Sequence, residues 1–360
     1  MAEVTYMFGD VLTGRIIQEI RVQGVSVNTK LDGSEYRGTF HLDQPGKTND
    51  SLVSATIPGR CFCVMERDAQ IIGDFLLTSR TYQAQAKSVQ LFGKGFRAYP
   101  HMRVIEQDQS FIDVDQISIF RTFWLNMLAD ANAPDIEPPV FASTAQLRTL
   151  EILATELRTY GAAIDSLADG DNGFDWTVDT VRNEGVYTRK VRWGYPTIGS
   201  KSDSVAIQVF EYPGNIFNYW ETSSIGSSGT HLFTAGGGEG ESMPIVTVVH
   251  ADLISGGHPR IDVTSSHKDI ADLDILTSIA TQEAHVKKAP GSVIKVEVKE
   301  AFYGNAIGDT CRLIIKDPRY PNKFQQDTRV IAAEYYPPQS GNVEMTRLSF
   351  EGDEDGSSEG

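Results

Sequence analysis

The chain has 360 residues, 40% of them hydrophobic and 22% charged, which is long and apolar enough for two or three domains with real cores. A formal net charge of −16 argues against binding a DNA or RNA backbone, which requires clustered Lys and Arg. No apolar run reaches the roughly 18 residues that would cross a membrane as a helix. The opening Met1-Ala2-Glu3 has no basic n-region followed by an apolar stretch, so no signal peptide is expected.

Three cysteines, Cys61, Cys63 and Cys311, are an odd number in a long chain. They argue against a disulfide framework and for a reducing compartment. Cys61 and Cys63 share parity in a strand-like run and should point to one face. Without further ligands at zinc spacing they read as buried, unpaired thiols.

The first hundred residues read as strands. Arg15–Val22 comes close to the period-two pattern of a half-buried strand, although Ile17 and Gln18 interrupt it. Similar runs follow at Tyr36–Leu42, Arg60–Arg67, Ile71–Tyr82 and Ser88–Phe92. They are separated by Asp32-Gly33, Gln44-Pro45-Gly46, Pro58-Gly59 and Gly93-Lys94-Gly95. Evenly spaced short strands predict a barrel or sandwich.

Near Asp115 the period changes. Ile117, Phe120, Trp124, Leu125 and Leu128 fall on one helical face, capped by Asp113 or Asp115 and stopped by Pro134. A second helix is predicted with Leu147, Leu150, Ala154 and Leu157 as its stripe, Ser143 or Thr144 as cap and Gly161 as its end. A short helix near Ala162–Ala168 follows. Strands return over Asp175–Val209, with Trp176, Val178 and Val181, then Val191, Trp193 and Tyr195, as packed positions.

Thr222–Gly240 is Ser/Gly-rich and reads as a loop. A strand at Ile245–His250 precedes a helix over about Lys268–Lys287, with Ile270, Leu273, Leu276 and Ala280 inward, Ser266 as cap, Asp269 three residues on and Pro290-Gly291 as stop. The regular alternation of Ile294, Val296 and Val298, then Cys311, Leu313 and Ile315, predicts more strands. A parity switch between Met345 and Leu348 predicts a bulge or a strand buried on both faces. Glu351–Gly360 is acidic and Gly/Ser-rich, without core-forming residues.

No motif carries catalysis. Gly236-Gly237-Gly238-Glu239-Gly240-Glu241 places acids where a phosphate loop needs Lys and Ser or Thr, so it reads as a turning loop. Asp169, Asp171, Asn172 and Asp175 begin like a calcium loop, but Phe174 stands where Gly is required and no Glu closes it. A solvated turn suits them better. The seven histidines, His41, His101, His231, His250, His258, His267 and His285, are scattered. No catalytic, cofactor-binding or metal residue is therefore assigned, no cofactor is expected, and the chain is read as a non-enzyme.

Several passages together resemble hub-type minor tail proteins (baseplate or tail-tip hubs) of long-tailed bacteriophages. They are Ile20–Leu42, ending Glu35-Tyr36-Arg37-Gly38-Thr39-Phe40-His41-Leu42; Ala55-Thr56-Ile57-Pro58-Gly59-Arg60; Val64-Met65-Glu66-Arg67-Asp68; Thr78-Ser79-Arg80-Thr81-Tyr82; Phe111-Ile112-Asp113-Val114-Asp115-Gln116-Ile117; and Gly173-Phe174-Asp175-Trp176-Thr177-Val178-Asp179. The resemblance implies a mainly β fold in which two tail-tube-like β-barrels flank a mixed α/β domain. Residues 1–105 would be the first barrel and 106–210 the middle domain. Residues 211–350 would be the second barrel, carrying the Ser/Gly-rich insertion and a helix, with 351–360 an acidic tail.

It implies a homotrimer, since two barrels per chain and three chains give six similar units, joining a sixfold tube to a threefold tip. Implied partners are a distal tail protein or tail-tube ring, the tape measure protein, tail-tip fibre or receptor-binding proteins, and DNA that passes without specific binding. The location would be the tail tip of the virion, assembled in the host cytoplasm. No lysozyme, peptidase or fibre domain is expected to be fused to it. Two alternatives stand beside this reading. One is a distal tail ring subunit; the other is a carbohydrate-binding β protein using Tyr212, Phe217, Tyr219 and Trp220 as a platform.

Overall fold

The structure, a computed structural model, describes residues 4–169, 172–199, 208–225, 228–238, 240–267, 270, 273–288, 291–299, 307–338 and 343–351. The strands begin with β1 (Val4–Asp10), β2 (Ile16–Glu19), β3 (Gln23–Lys30), β4 (Glu35–His41), β5 (Cys61–Arg67), β6 (Gln70–Gln83), β7 (Ser88–Gly95) and β8 (Gln109–Asp115). Helix α1 (Asn49–Ser54) lies between β4 and β5, and a 3-10 helix, Phe96–Met102, follows β7. Next come α2 (Gln116–Leu128), β9 (Ile136–Glu137), β10 (Leu147–Ile152), α3 (Tyr160–Ala168), β11 (Asp175–Asn183), β12 (Val186–Gly194) and β13 (Gln208–Tyr212). Then follow β14 (Ile216–Ser224), β15 (His231–Ala235), β16 (Ile245–Val249), α4 (Ala251–Ser255), β17 (Asp262–Ser266) and α5 (Leu273–Val286). The chain closes with β18 (Gly291–Val298), β19 (Thr310–Ile315), β20 (Phe324–Tyr336) and β21 (Met345–Phe350).

These elements form two units, one of Met1–Asn218 with Val296–Ser349 and one built on Tyr219–Lys295. In the first, the main sheet runs β18-β21-β20-β3-β4-β7-β6-β5-β1-β2, with β19 beside β20 and β13 parallel to β19. Strand β5, Cys-Phe-Cys-Val-Met-Glu-Arg, is apolar at both parities, so both of its faces need covering. Cys61, Cys63 and Met65 point into one cluster with Tyr6, Phe8, Val27, Tyr36, Phe40, Phe75 and Leu91. The sheet curls around that inner face, and Leu52 of α1 joins it. Phe62 and Val64 point the other way, into a second cluster with Phe120, Phe123 and Trp124 of α2, Ile164 of α3, Trp176 of β11 and Tyr187 of β12. The middle elements, including the small sheets β8–β10 and β11-β12-β9, therefore cover the outer face of the β5–β6 region. The second unit packs α5 against a three-stranded sheet ordered β16-β15-β17.

The mainly β class stands, and the expected strands of the first hundred residues are β2 and β4 to β7. Several local expectations change. Leu147–Ile152 is a strand, not a helix, because it pairs antiparallel with β8. Only a 3-10 turn at Ala154–Glu156 follows it. Gly161 lies inside α3 rather than ending a helix; a Cβ there would stand 2.4 Å from the His101 ring. Leu125 is 46% exposed, because α2 buries Ile119, Phe123 and Met127 as well as the expected Ile117, Phe120 and Trp124.

Part of the expected Thr222–Gly240 loop is strand, at the end of β14 and in β15. Ser266 is the last residue of β17, not a helix cap, and Asp269 and Pro290 lie outside the described residues. Strand β21 has no parity switch. Thr346, Leu348 and Phe350 all face inward, and its register with β18 is regular. The two terminal strand regions were expected as two separate β-barrels, but their strands share one sheet. The 13-residue β20 pairs with β19 over Phe324–Arg329 and with β3 over Ala332–Tyr335, so it is long enough to belong to both.

Candidate functional site

The most heavily built polar site lies in the first unit, where the middle elements meet the outer face of β5 and β6. Alternation along β12 points Tyr187, Arg189 and Val191 inward. Arg189 is fully buried, with its guanidinium 4.1 Å from the centroids of both Phe62 and Phe96. Its Nε donates to Asp74 Oδ2 at 2.7 Å, and Thr180 Oγ1 donates to the same oxygen at 2.8 Å. A buried charge held this way needs its partner, since removing either one strands the other.

One turn of the ladder away, the Tyr187 hydroxyl donates to Glu66 Oε1 at 2.7 Å, and Arg182 Nη1 reaches Glu66 Oε2 at 3.3 Å. Burial, and then the neighbouring Glu66 carboxylate, push the Tyr187 phenol well above its ordinary range. Nearby, Arg97 stacks 4.3 Å over Trp176 and donates to Asp165 at 3.0 Å. Burial lowers its pKa against the pull of Asp165. Arg329 of β20 donates to Asp175, to the Ile198 carbonyl and to the Gly308 carbonyl.

Beside this junction opens a cleft of about 480 Å3. Its walls include Ala69–Phe75 at the start of β6 and Thr177–Thr180 with Arg182 of β11. The charged groups here are paired with one another, an arrangement that holds elements in place and offers no nucleophile with a base beside it.

No family model matches the chain, and no curated protein matches it in sequence. Solved structures do match in fold. The 43 kDa tail protein of prophage MuSo2 from Shewanella oneidensis aligns at a TM-score of 0.61 and 8% identity, over 97% of this chain and 98% of that one. A tail protein from Neisseria meningitidis MC58 aligns at 0.56 and 10% identity, over 96% of each chain. Prophage tail protein gp18 from Listeria monocytogenes EGD-e aligns at 0.52 and 10% identity, over 96% of this chain and 94% of that one. The chain folds as these phage tail proteins do. The likeness runs over nearly the whole of each chain.

Within this tail-protein fold, the residues weighed from sequence fall into structural places. Asp175 accepts from Ile198 N at 3.0 Å as well as from Arg329, and Asn172 offers its carbonyl to Gln116. Asp169 ends α3, and Asp171 lies outside the described residues. Among the described residues no group of three His, Cys, Asp or Glu could hold a metal ion. Cys61, Cys63 and Cys311 are all buried and free. Burial pushes the Cys63 thiol far up and that of Cys311 up to about 12.

In the glycine cluster, Gly236 N donates to the Pro244 carbonyl and Gly237 N to that of Ile270, so these backbone groups tie the loop down; Glu239 is outside the described residues. Phe217 and Trp220 have opposite parity along β14, which sets them on opposite faces rather than on one platform. The buried Arg189–Asp74 pair was missed from sequence. Its only signal was Arg189 at the inward parity between Tyr187 and Val191.

Proposed function

We propose that this chain is a hub-type structural subunit of the tail tip or baseplate of a tailed bacterial virus. It works as a homotrimer whose ring joins the sixfold tail tube to threefold tip components and lines the path by which DNA leaves. The observation that carries this is the end-to-end likeness to prophage tail proteins, 97% of this chain on 98% of the Shewanella protein. On this reading the chain is not an enzyme. Its partners are a distal tail protein or tube ring above, the tape measure protein, and fibre or receptor-binding proteins below.

The −16 charge of each chain fits a passage that does not hold phosphates. Each added cation contact would release counterions and retain DNA. Only charges within about 8 Å of the passage count at physiological salt, so the acids should outnumber Lys and Arg on the inner wall. Imaging of tail particles carrying a tagged copy tests the reading. A threefold ring at the tip supports it. A sixfold ring above the tip would make the chain a distal tail subunit, and absence from the particle would overturn the proposal.

A further inference from the structure

Strand β6 loses a neighbour part-way along. Its pairing with β7 begins at Phe75↔Gly95, where β7 ends and the chain turns into the 3-10 helix Phe96–Met102. From Gln70 to Asp74, β6 has β5 on one side only. In an antiparallel strand alternate peptide groups point away from the paired side, so this stretch presents a free edge about 17 Å long. The edge, Gln70-Ile71-Ile72-Gly73-Asp74, carries none of the Lys or Pro guards that blunt exposed strands. It opens into the 480 Å3 cleft, whose β6 wall is lined by consecutive residues of both parities, as a strand seen edge-on must be. The facing wall is β11, which also has a partner, β12, on one side only.

One side chain in the cleft wall indicates the chemistry of what fits. Asp74 is only 3% exposed. Its Oδ2 is taken by Arg189 and Thr180, while its Oδ1 is buried with no hydrogen-bond partner, as is Arg189 Nη2 of the same ion pair. Arg189 already matches its charge, and the other charged residues of the cleft wall are Lys30, Arg97, Arg182 and Asp179. A further cation would be in excess there. A neutral donor, the hydroxyl of Ser or Thr or the amide of Asn or Gln, satisfies the oxygen without adding charge.

We propose that the cleft is a β-augmentation site. An extended, uncharged segment of a different tail chain pairs with Gln70–Asp74 in the place β7 vacates and sends a hydroxyl or amide side chain to Asp74 Oδ1. Main-chain bonds supply affinity and the buried donor supplies selectivity. This rests on the tail-subunit reading for the identity of the partner.

The test compares amide hydrogen exchange of the purified full chain with that of the chain in tail particles, together with cross-linking from the exposed position 70 in a Gln70→Cys variant. The site requires amides within Gln70–Asp74 to exchange at least tenfold more slowly in the particle, and the position 70 cross-link to join an uncharged segment of another tail protein. Unchanged exchange in particles that contain the chain would overturn the site while leaving the tail reading intact. A cross-link to a second copy of this chain would overturn the partner assignment. Absence of the chain from particles would sink both.

Discussion

The two units hold their charged groups in opposite ways. In the larger one, Arg189 is fully buried between two rings and Asp74 is 3% exposed. In the smaller one, the central acid, Glu283 of α5, is 23% exposed. It gathers His267 at 3.0 Å, Ser265 at 2.5 Å and Thr234 at 3.5 Å from the sheet beneath. The difference follows from the depth of the cores. The larger unit has two clusters rich in Phe, Tyr and Trp and can enclose an ion pair. Among the described residues, the three-stranded sheet and its helices bury few apolar side chains, chiefly Leu232, Leu276, Ala280 and Ala284, so polar bonds at its rim carry a larger share of its stability.

Breaking each lock should therefore be felt in its own unit. The largest effect is expected from Arg189→Ala, which strands Asp74 and removes the cation between Phe62 and Phe96. The first unit should lose about 3–5 kcal/mol, read from urea unfolding, with the second unit's transition unmoved. Arg189→Met, which restores packing but not charge, should still leave Asp74 unpaired and recover only part of the loss. Glu283→Ala should cost the second unit about 1–3 kcal/mol. Hydrogen exchange would then rise in β15, β17 and α5 while β5 and β6 stay protected.

The larger unit also has a half-buried polar lock that sharpens the contrast. Asp115, the N-cap of α2, accepts from Ile117 N, Ser143 Oγ, Thr144 N and Ala145 N at 2.8–3.0 Å. Burial pushes its pKa up, but these hydrogen bonds outweigh burial and hold it below the usual carboxylate value. With a folded pKa below the unfolded one, about 3.9, its stabilisation is present above that value and is lost as pH falls through the folded pKa. Asp115→Ala should cost about 0.5–2 kcal/mol at neutral pH, and the gap from the parent chain should close at strongly acid pH. The smallest effect is a gain. Leu157 is 72% exposed with φ at +51°, so Leu157→Gly should raise stability by up to about 1 kcal/mol, visible as a small rise in the unfolding midpoint.

Much of the fold was legible because alternation marks strands whose two faces differ. Strand β4 was found that way, β5 as a short apolar run between turn signals, and the Cys61 and Cys63 parity, which the structure places in one cluster, was legible too. Leu147, Leu150, Ala154 and Leu157 misled because spacings of three and four fit a helix, while the true constraint on Leu147–Ile152 is pairing with β8, more than thirty residues upstream. The joining of the terminal regions through β20 and β3 was invisible for the same reason: strand pairing across some 300 residues leaves no local pattern. The Arg189 site was illegible because a charged residue at an inward parity looks like a solvated one until Asp74, Phe62 and Phe96 are brought to it. The buried, unpartnered Asp74 Oδ1 belongs to that same category.

The most direct test of the hub proposal is the mass of the purified full chain under native conditions, measured at micromolar and higher concentration. The account requires a closed species of three chains. A chain that stays monomeric at high concentration and forms no ring in any tail particle would contradict it.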